Sequence, residues 1–299
     1  MTRRQLLQTV SGAAAAASLG RGQTASQPYK GRTMVVVTAH ADDFTIFAGG
    51  TLAKMIKEGY TAHLIRVTND EKDSQDLSLG ETVARNEREL RKAADVIGIQ
   101  EIHSLNFRND EMDPVPETEV RQKLILLFRK LKPWTLVTFD PSAKYEENPD
   151  HKKTARAAED AAWTSAGHLY EPEQAVVGLG KWAVLDRYYW ARSLDPQDVN
   201  KVVDISSTID QKIRAVQQHK TMMDHTAHQL KEKLAEANLR LPLLDTIDEA
   251  AVDKMVDIHL REWASALGAQ HGLKYAEVFH YIPIEAEGGY VMTNAVPIR

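Results

Sequence analysis

A short, wholly apolar run that ends in a charged turn is the feature that most constrains the fold of this chain. Residues 35–37 are three valines, and the turn behind them carries His40, Asp42 and Asp43. A strand without polar positions is buried on both faces, which is typical of a parallel sheet covered by helices. Ligands of open α/β sheets bind just beyond the carboxyl ends of the strands. The sequence therefore predicts a parallel sheet with a candidate site on this turn.

Strand-like and helix-like segments alternate along the first half of the chain. The predicted strands cover residues 33–39, 61–68, 101–105 and 135–139, and helical patterns after the second and third strands cover 81–97 and 117–131. This alternation predicts an α/β fold, a Rossmann-like three-layer α/β/α arrangement with a mostly parallel sheet. In the common strand order 3-2-1-4, the first and fourth strands are neighbours.

The second half of the chain is less regular, but it contains no linker-like composition and no internal repeat. Strand-like segments cover residues 182–190, 201–205 and 276–284, and helical patterns cover 209–234 and 249–267. A chain of 299 residues is within the size range of single α/β domains. We therefore expect one domain over residues 26–299, with a C-terminal elaboration of helices and strands.

The loop after the fourth predicted strand contributes a third candidate metal ligand, His151. If strands one and four are neighbours, His151 approaches His40 and Asp43 at the same edge of the sheet. The chain has no cysteine, so any metal must be held by His, Asp or Glu. Three such ligands with one open position are typical of catalytic zinc, with ferrous iron as an alternative. Asp43 also fits a simpler interpretation, because aspartate favours turns and helix starts.

Residues 1–25 have the pattern of a twin-arginine-type signal peptide. Arg3 and Arg4 precede an Ala-rich, moderately apolar segment at residues 9–19, and small residues lie near Ala25. We expect transient contact with the twin-arginine export machinery and a periplasmic or secreted protein. The alternatives are an Ala-rich tail and an uncleaved anchor. The apolar segment is well short of the ~20 residues that span a bilayer, so no stable membrane insertion is expected.

The charge of the chain bears on its partners. The net charge is −5, and residues 1–25 contain basic side chains but no acidic ones, so their removal makes the chain more acidic. Nucleic acids and anionic membrane surfaces attract basic proteins. The composition therefore argues against either of them as a partner.

Two boxes resemble those of the PIG-L/LmbE-like zinc-dependent de-N-acetylase family. Residues 39–44, Ala-His-Ala-Asp-Asp-Phe, are similar to its [PA]-H-P-D-D-E box, and residues 148–151, Asn-Pro-Asp-His, to its H-P-D-H box. The resemblance covers most of residues 33–223 and includes Lys212 and His219 in a late K-x-x-A-x-x-x-H pattern. It implies a hydrolase that removes an N-acetyl or N-acyl group from an amino sugar or a similar amide, in a small molecule or a glycan.

Carried over residue by residue, the resemblance implies that His40, Asp43 and His151 bind zinc. It further implies that Asp42 is the general base. From the residues alone, Asp42 is also compatible with a solvated loop carboxylate that has no catalytic role. Binding a metal does not require Asp42, so its presence favours an enzyme over a protein that only binds metal.

Two departures from the family pattern leave the proton path open. Phe44 replaces a glutamate and Asn148 replaces a histidine, so neither position can transfer a proton. The candidates for the acid are then Glu146, Glu147 and Asp42 after it has accepted a proton. The amide of Asn148 and the phenol of Tyr145 still donate hydrogen bonds, so both residues are candidates for stabilising the oxyanion. Arg85 is a candidate for substrate binding, although a helix pair with Glu89 explains it equally well. The alternative to an enzyme is a non-catalytic metal- or carbohydrate-binding protein that has lost turnover.

Overall fold

The structure is a computed structural model that describes residues 27–284, 288–296 and 298. Residues 1–25, for which the sequence predicts an export signal, lie outside the described residues, so export and its cleavage site stay predictions. Among the described residues, no helix is long and apolar enough to cross a bilayer.

The first half of the chain forms the expected parallel sheet. Its strands are β1 (Thr33–Thr38), β2 (Thr61–Thr68), β3 (Glu101–Phe107) and β4 (Thr135–Phe139), in the order β3-β2-β1-β4. All neighbouring pairs among these four strands are parallel. Val35 in β1 pairs with His63 on one side and with Leu136 on the other. The carboxyl ends of β1 and β4 therefore lie side by side.

Helices cover both faces of this sheet, so the three-layer α/β/α prediction is confirmed. The helices of the first half are α1 (Asp43–Lys57), α2 (Leu79–Ile97), α3 (Glu117–Leu131) and α4 (Pro149–Thr164). Alternate side chains of β1 enter different cores. Met34 and Val36 pack in a cluster with α1 and α2, whereas Val35 and Val37 pack in a cluster with α3 and α4. This explains why the strand is apolar at successive positions.

The second half extends the same sheet and adds helices to it. Its elements are α5 (Glu173–Val176), β5 (Asp186–Trp190), β6 (Lys201–Asp204), α6 (Ile209–Val216), α7 (Lys220–Glu236), α8 (Glu249–Ala269), β7 (Ala276–Ile282) and α9 (Gly289–Asn294), with a 3-10 turn at Pro242–Leu244. β5 is parallel to β4, whereas β7 is antiparallel to both β5 and β6. The full order is β3-β2-β1-β4-β5-β7-β6, a mostly parallel sheet as predicted.

The prediction of a single helix over residues 209–234 is wrong, because the structure has two helices there. Three residues separate α6 from α7, and the last of them, His219, has the non-helical backbone angles φ −80° and ψ 57°. Glu89 on α2 accepts hydrogen bonds from the backbone N–H and the hydroxyl of Thr221, at 2.8 and 2.9 Å. These bonds satisfy the start of α7. The apolar periodicity does not reveal the break because Glu89 is distant in sequence.

Candidate metal centre

Three candidate ligands meet at the carboxyl edge of the sheet. His40 lies two residues after β1, Asp43 is the first residue of α1, and His151 lies in the first turn of α4. Their exposed fractions are only 6%, 4% and 4%. Because β1 and β4 are neighbours, the segments that follow them converge on one place, as the strand order leads one to expect.

The spacing of the ligand atoms fits one metal ion. Nδ1 of His40 lies 3.1 Å from Nε2 of His151, and that Nε2 lies 3.2 Å from Oδ1 of Asp43. Two nitrogens bound to a tetrahedral zinc ion at about 2.05 Å are roughly 3.3 Å apart. The three atoms therefore converge around a point where an ion of this size fits.

The two carboxylate oxygens of Asp43 have different roles, one in the turn and one in the cluster. Its Oδ2 accepts hydrogen bonds from the backbone N–H of His40 (2.7 Å) and from the hydroxyl of Thr38 (3.0 Å). Its Oδ1 faces His151. The turn role and the ligand role are thus compatible, because each uses a separate oxygen.

Buried carboxylates hold both imidazoles in the orientation that metal binding needs. Nε2 of His40 lies 3.3 Å from Oδ2 of Asp150, which also accepts the backbone N–H of Asp110 at 2.7 Å. Nδ1 of His151 lies 3.1 Å from Oε1 of Glu146. A carboxylate beside the outer ring nitrogen favours the tautomer whose inner nitrogen carries the lone pair.

The charges around the cluster suit a cation. Burial lowers the pKa of His151, but Asp43 and Glu146 on either side of the ring outweigh burial and raise the pKa to about 9. Burial likewise lowers the pKa of His40, and Asp150 and Asp43 hold it well above its usual range. Burial raises the pKa of Asp43, yet the neighbouring imidazoles keep it far below its ordinary value. The acidic side chains around the two imidazoles therefore make this place favourable for positive charge.

A second grouping shares His40 but is less suited to a metal. It combines His40 with Asp110 and Asp150. Both oxygens of Asp150 already accept backbone N–H groups, from Asp110 and Met112, and Asp110 is exposed. Asp150 therefore orients His40 rather than binding an ion.

Asp42 lies between two of the candidate ligands and does not cap the helix that follows it. It is the residue before α1, yet its side chain makes no capping hydrogen bond. Burial and the neighbouring Asp43 raise its pKa to about 8, although His40 acts in the opposite direction. A carboxyl group with a pKa near neutrality exchanges protons readily at physiological pH. Its position and its pKa are those of a candidate proton carrier.

Asn148 caps α4, and this fixes the direction of its amide. Its Oδ1 accepts the backbone N–H groups of Asp150 (2.8 Å) and His151 (3.4 Å). Only the oxygen of an amide accepts such bonds, so Nδ2 is left as the donor. Tyr145 on the same loop is 77% exposed and is not packed into the cluster. The structure thus places Asn148 beside a ligand and Tyr145 at the surface.

Arg85 is exposed on α2 and lines a cavity of about 340 Å³. The cavity lies between α2, α7 and the loop after β2, and its lining includes Ser74, Lys220 and Asp224. Glu89, the alternative partner of Arg85, instead holds the start of α7. Arg85 therefore faces a space large enough for part of a ligand.

The loop after β2 places Asp70 and Asp73 near the cluster. Neither residue belongs to the two boxes. Asp70 accepts the backbone N–H of Ala41 at 3.1 Å and pairs with the buried Arg66 at 2.9 Å. Oδ2 of Asp73 is buried and has no hydrogen-bond partner among the described residues. Burial raises the pKa of Asp73 to about 7. The available sequence signal is the position of this polar loop directly after a strand.

Phe44, which replaces a glutamate of the family box, is fully buried and packs edge-on against His219. The ring centroids are 6.3 Å apart, and the ring planes are at 89°. Neither ring nitrogen of His219 has a hydrogen-bond partner among the described residues, and burial lowers the pKa of His219 to about 3. His219 is therefore a neutral, packed histidine in this structure.

Residues 35–162, which include both boxes, match the PIG-L family, described as GlcNAc-PI de-N-acetylase. The chain has a PIG-L domain. The family recognised from the two boxes is thereby confirmed, and the PIG-L match contains all three candidate ligands and Asp42.

Relatives of this PIG-L chain are named as deacetylases. Diacetylchitobiose deacetylase of Thermococcus kodakarensis is 25% identical over 257 residues, which is 84% of each chain. The 1D-myo-inositol 2-acetamido-2-deoxy-alpha-D-glucopyranoside deacetylase of a Mycobacterium species is 25% identical over 238 residues, covering 65% of this chain and 75% of the relative. The structure of N,N'-diacetylchitobiose deacetylase from Pyrococcus horikoshii superposes with a TM-score of 0.70, at 23% identity and 86% coverage of both chains. That superposition establishes the shared PIG-L fold.

Proposed function

We propose that this PIG-L chain is an exported, zinc-dependent hydrolase that removes an N-acetyl group from an amino sugar or a related amide. The observation that carries the proposal is the buried cluster of His40, Asp43 and His151 with the carboxylate of Asp42 beside it. The names of the relatives, which include an acetamido sugar and diacetylchitobiose, support the same reaction. The twin-arginine pattern of residues 1–25 supports export to the periplasm or the medium.

Asp42 handles the proton in this reaction. A zinc ion held by the three ligands would supply a Lewis acid and would lower the pKa of a bound water. Asp42 accepts a proton from the water that attacks the amide carbonyl and then donates it to the departing amine. Asp42 lies beside two of the three ligands, so a cation held there would lower the pKa of Asp42 and favour the carboxylate form that accepts the proton. Glu146 is held by His151 and is not needed as the acid.

Asn148 stabilises the negative charge that develops on the carbonyl oxygen. Because its Oδ1 is held by the start of α4, its Nδ2 is the end that donates to the substrate. Tyr145 is exposed on the same loop and is not packed into the cluster. We assign it a contact with the substrate oxygen in the substrate-bound state. Asn148 replaces a histidine of the family box, and the role assigned to it requires a hydrogen-bond donor but no proton transfer.

We assign Arg85 to the part of the substrate that does not react, because its cavity is lined by Ser74, the neighbour of Asp73, whose charge acts on His40. The lining residues of this cavity include none of the three candidate ligands. The cavity that it lines also presents Lys220, Asp224 and Glu249, which are donors and acceptors suited to hydroxyl groups. A volume of about 340 Å³ is at the lower end of the range of small-molecule sites. The cavity therefore suits a sugar unit rather than a large apolar group.

Acetate release measured together with zinc content tests the proposed reaction. The zinc-loaded wild type and Asp42→Asn are incubated with N,N'-diacetylchitobiose and with N-acetylglucosamine. We expect acetate from the wild type and a loss of kcat on the order of 100-fold or more in Asp42→Asn, because general acid–base catalysis is removed. Both proteins should retain the same amount of zinc. Equal inactivity of both proteins on both sugars, with zinc retained, would favour the non-catalytic metal- or carbohydrate-binding alternative.

A further inference from the structure

A second cluster of metal-binding side chains lies at the opposite end of the sheet. His63 is the third residue of β2, and Glu101 and His103 are the first and third residues of β3. β2 and β3 are parallel, and His63 is directly opposite Glu101, so the three side chains project from the same face. His63 also pairs with Val35, five positions before His40, which is roughly 16 Å along the strand. This cluster is therefore separate from the candidate metal centre.

The atoms of this cluster have the spacing of a three-ligand site. Oε2 of Glu101 lies 3.6 Å from Nδ1 of His63 and 3.6 Å from Nε2 of His103. All three ligand atoms lie within 4.8 Å of one another. Ligand atoms of a tetrahedral zinc ion are roughly 3.3 Å apart. The side chain of Glu101 is 54% exposed and free to shorten its own two distances, while the two imidazoles must also approach each other to bind one ion.

Each histidine of this cluster has a ring nitrogen that makes no hydrogen bond within the described part of the chain. Nδ1 of His63 and Nε2 of His103 are buried and have no hydrogen-bond partner among the described residues. The side chains as a whole are only 11% and 12% exposed. Buried polar atoms are normally paired, so two unpaired nitrogens that face one carboxylate call for an explanation.

Burial is the largest influence on the protonation of these two histidines. It lowers the pKa of both His63 and His103, and the charge of Lys130 acts in the same direction, against that of Glu101. A neutral imidazole presents its lone pair without first losing a proton. The rings are also nearly parallel, with 23° between their planes and 5.8 Å between their centroids. Both histidines can therefore bind an ion without first losing a proton.

We propose that His63, Glu101 and His103 bind a second divalent transition-metal ion, of the zinc class, that ties the edge strand β3 to β2. Two imidazoles and one carboxylate are a ligand set that zinc, nickel and copper ions accept. Among the described residues, β3 lies at the edge of the sheet and has β2 as its strand neighbour. A metal bridge at its first residues adds a contact that the backbone ladder does not supply. This site does not depend on the deacetylase reaction.

Zinc stoichiometry tests this second site in the full chain. The protein is stripped with a chelator, reloaded with zinc, separated from free metal by gel filtration and analysed for metal content. We expect two zinc ions per wild-type chain and one in Glu101→Gln and in His103→Gln, each with unchanged acetate release. The matched control His271→Gln, which alters an exposed histidine, should keep both ions.

A His151→Gln background separates the two sites. Zinc should still bind to His151→Gln and raise its Tm, whereas the double variant His151→Gln/Glu101→Gln should bind none and show no shift. Glu101 is exposed, so its substitution leaves the fold intact and the comparison stays valid. Equal zinc content in the wild type, Glu101→Gln and His103→Gln would overturn the second site. One ion in the wild type that is lost only in His151→Gln would overturn it as well, and would leave the candidate metal centre in place.

Discussion

At the scale of single residues, the carboxylates behind the ligands determine how the two histidines are presented. Asp150 and Glu146 lie 3.3 and 3.1 Å from the outer nitrogens of His40 and His151. Asp150 is part of a recognisable box, but sequence spacing does not say which histidine it faces. The answer depends on the packing of α4 against the turn after β1, which brings residues 110 positions apart into contact.

Replacing Asp150 with asparagine should weaken zinc binding without removing a ligand. The outer nitrogen of His40 loses its carboxylate, so the ring is held less firmly and is a poorer donor. We expect zinc affinity to fall about 10- to 100-fold, measured by competition with a chelator of known affinity. Asp113→Asn, a change at an exposed position nearby, is the control and should bind zinc like the wild type. An unchanged affinity in Asp150→Asn would contradict the orienting role.

The raised pKa of His151 predicts opposite pH trends for the metal-free and zinc-loaded protein. An unfolded histidine titrates near 6.5, so stability from the contacts of His151 is complete below about pH 6.5 and is lost as the pH rises through about 9. Asp42, raised to about 8, acts in the same direction because the folded state again binds the extra proton. The Tm of the metal-free chain should therefore fall from pH 6.5 to pH 9.

Zinc should reverse this trend, because it displaces the protons that the metal-free site holds. The rise in Tm caused by a fixed zinc concentration should grow with pH over the same range. Differential scanning calorimetry of both forms at several pH values provides the measurement. In His151→Gln, the contribution of this site to the zinc-induced rise in Tm should no longer depend on pH. A zinc-induced Tm shift that is independent of pH would show that zinc does not compete with protons there.

At the scale of secondary-structure elements, the alternation of strands and helices was enough to predict the sheet order and the meeting of His40 with His151. The apolar periods come from local burial, and β2, α3 and β4 have the predicted bounds. Features that depend on distant partners were not predictable. The break before α7 is stabilised by Glu89 on α2, and the meeting of His63 with His103 depends on the register of two strands.

Asn148 caps α4, and we propose that it also binds the oxyanion; two substitutions separate these roles. Asn148→Ala should lower the free energy of unfolding by about 1 kcal/mol, because the cap is lost. Asn148→Asp should keep the cap, since a carboxylate oxygen accepts the same N–H groups. Both should lose about 100-fold in kcat, because neither donates to the oxyanion. Urea unfolding and acetate release provide the measurements, and full kcat in Asn148→Asp would refute the donor role.

At the scale of the whole molecule, the buried carboxylate of Glu277 joins the two halves of the chain. Nζ of Lys212 on α6 lies 2.7 Å from Oε1 of Glu277 on β7, and both side chains are almost fully buried. The carboxylate of Glu277 also accepts the backbone N–H groups of Gly50 (3.1 Å) and Thr51 (2.7 Å) in α1. The C-terminal elaboration is thereby bonded to the helix that begins with Asp43.

Replacing Lys212 with methionine should destabilise the whole chain. The change leaves the carboxylate of Glu277 buried without its cation, which costs about 3–5 kcal/mol. Lys254→Met, a change at an exposed position of α8, should cost less than about 0.5 kcal/mol. Urea unfolding followed by fluorescence and by circular dichroism gives both values, and coincident transitions would support one domain over residues 26–299. A cost below about 1 kcal/mol for Lys212→Met would show that the ion pair contributes little to the stability of the chain.

Acetate release from N,N'-diacetylchitobiose by the metal-stripped chain, before and after zinc is restored, tests the assignment of a catalytic metal centre most directly. We expect stripping to leave on the order of 1% of the activity or less, because Lewis-acid activation of the carbonyl and of water is lost. Zinc should restore the wild type but not His151→Ala, although that variant keeps the ligands of the second site. Full activity in the metal-free chain, or full activity in His151→Ala, would contradict the assignment.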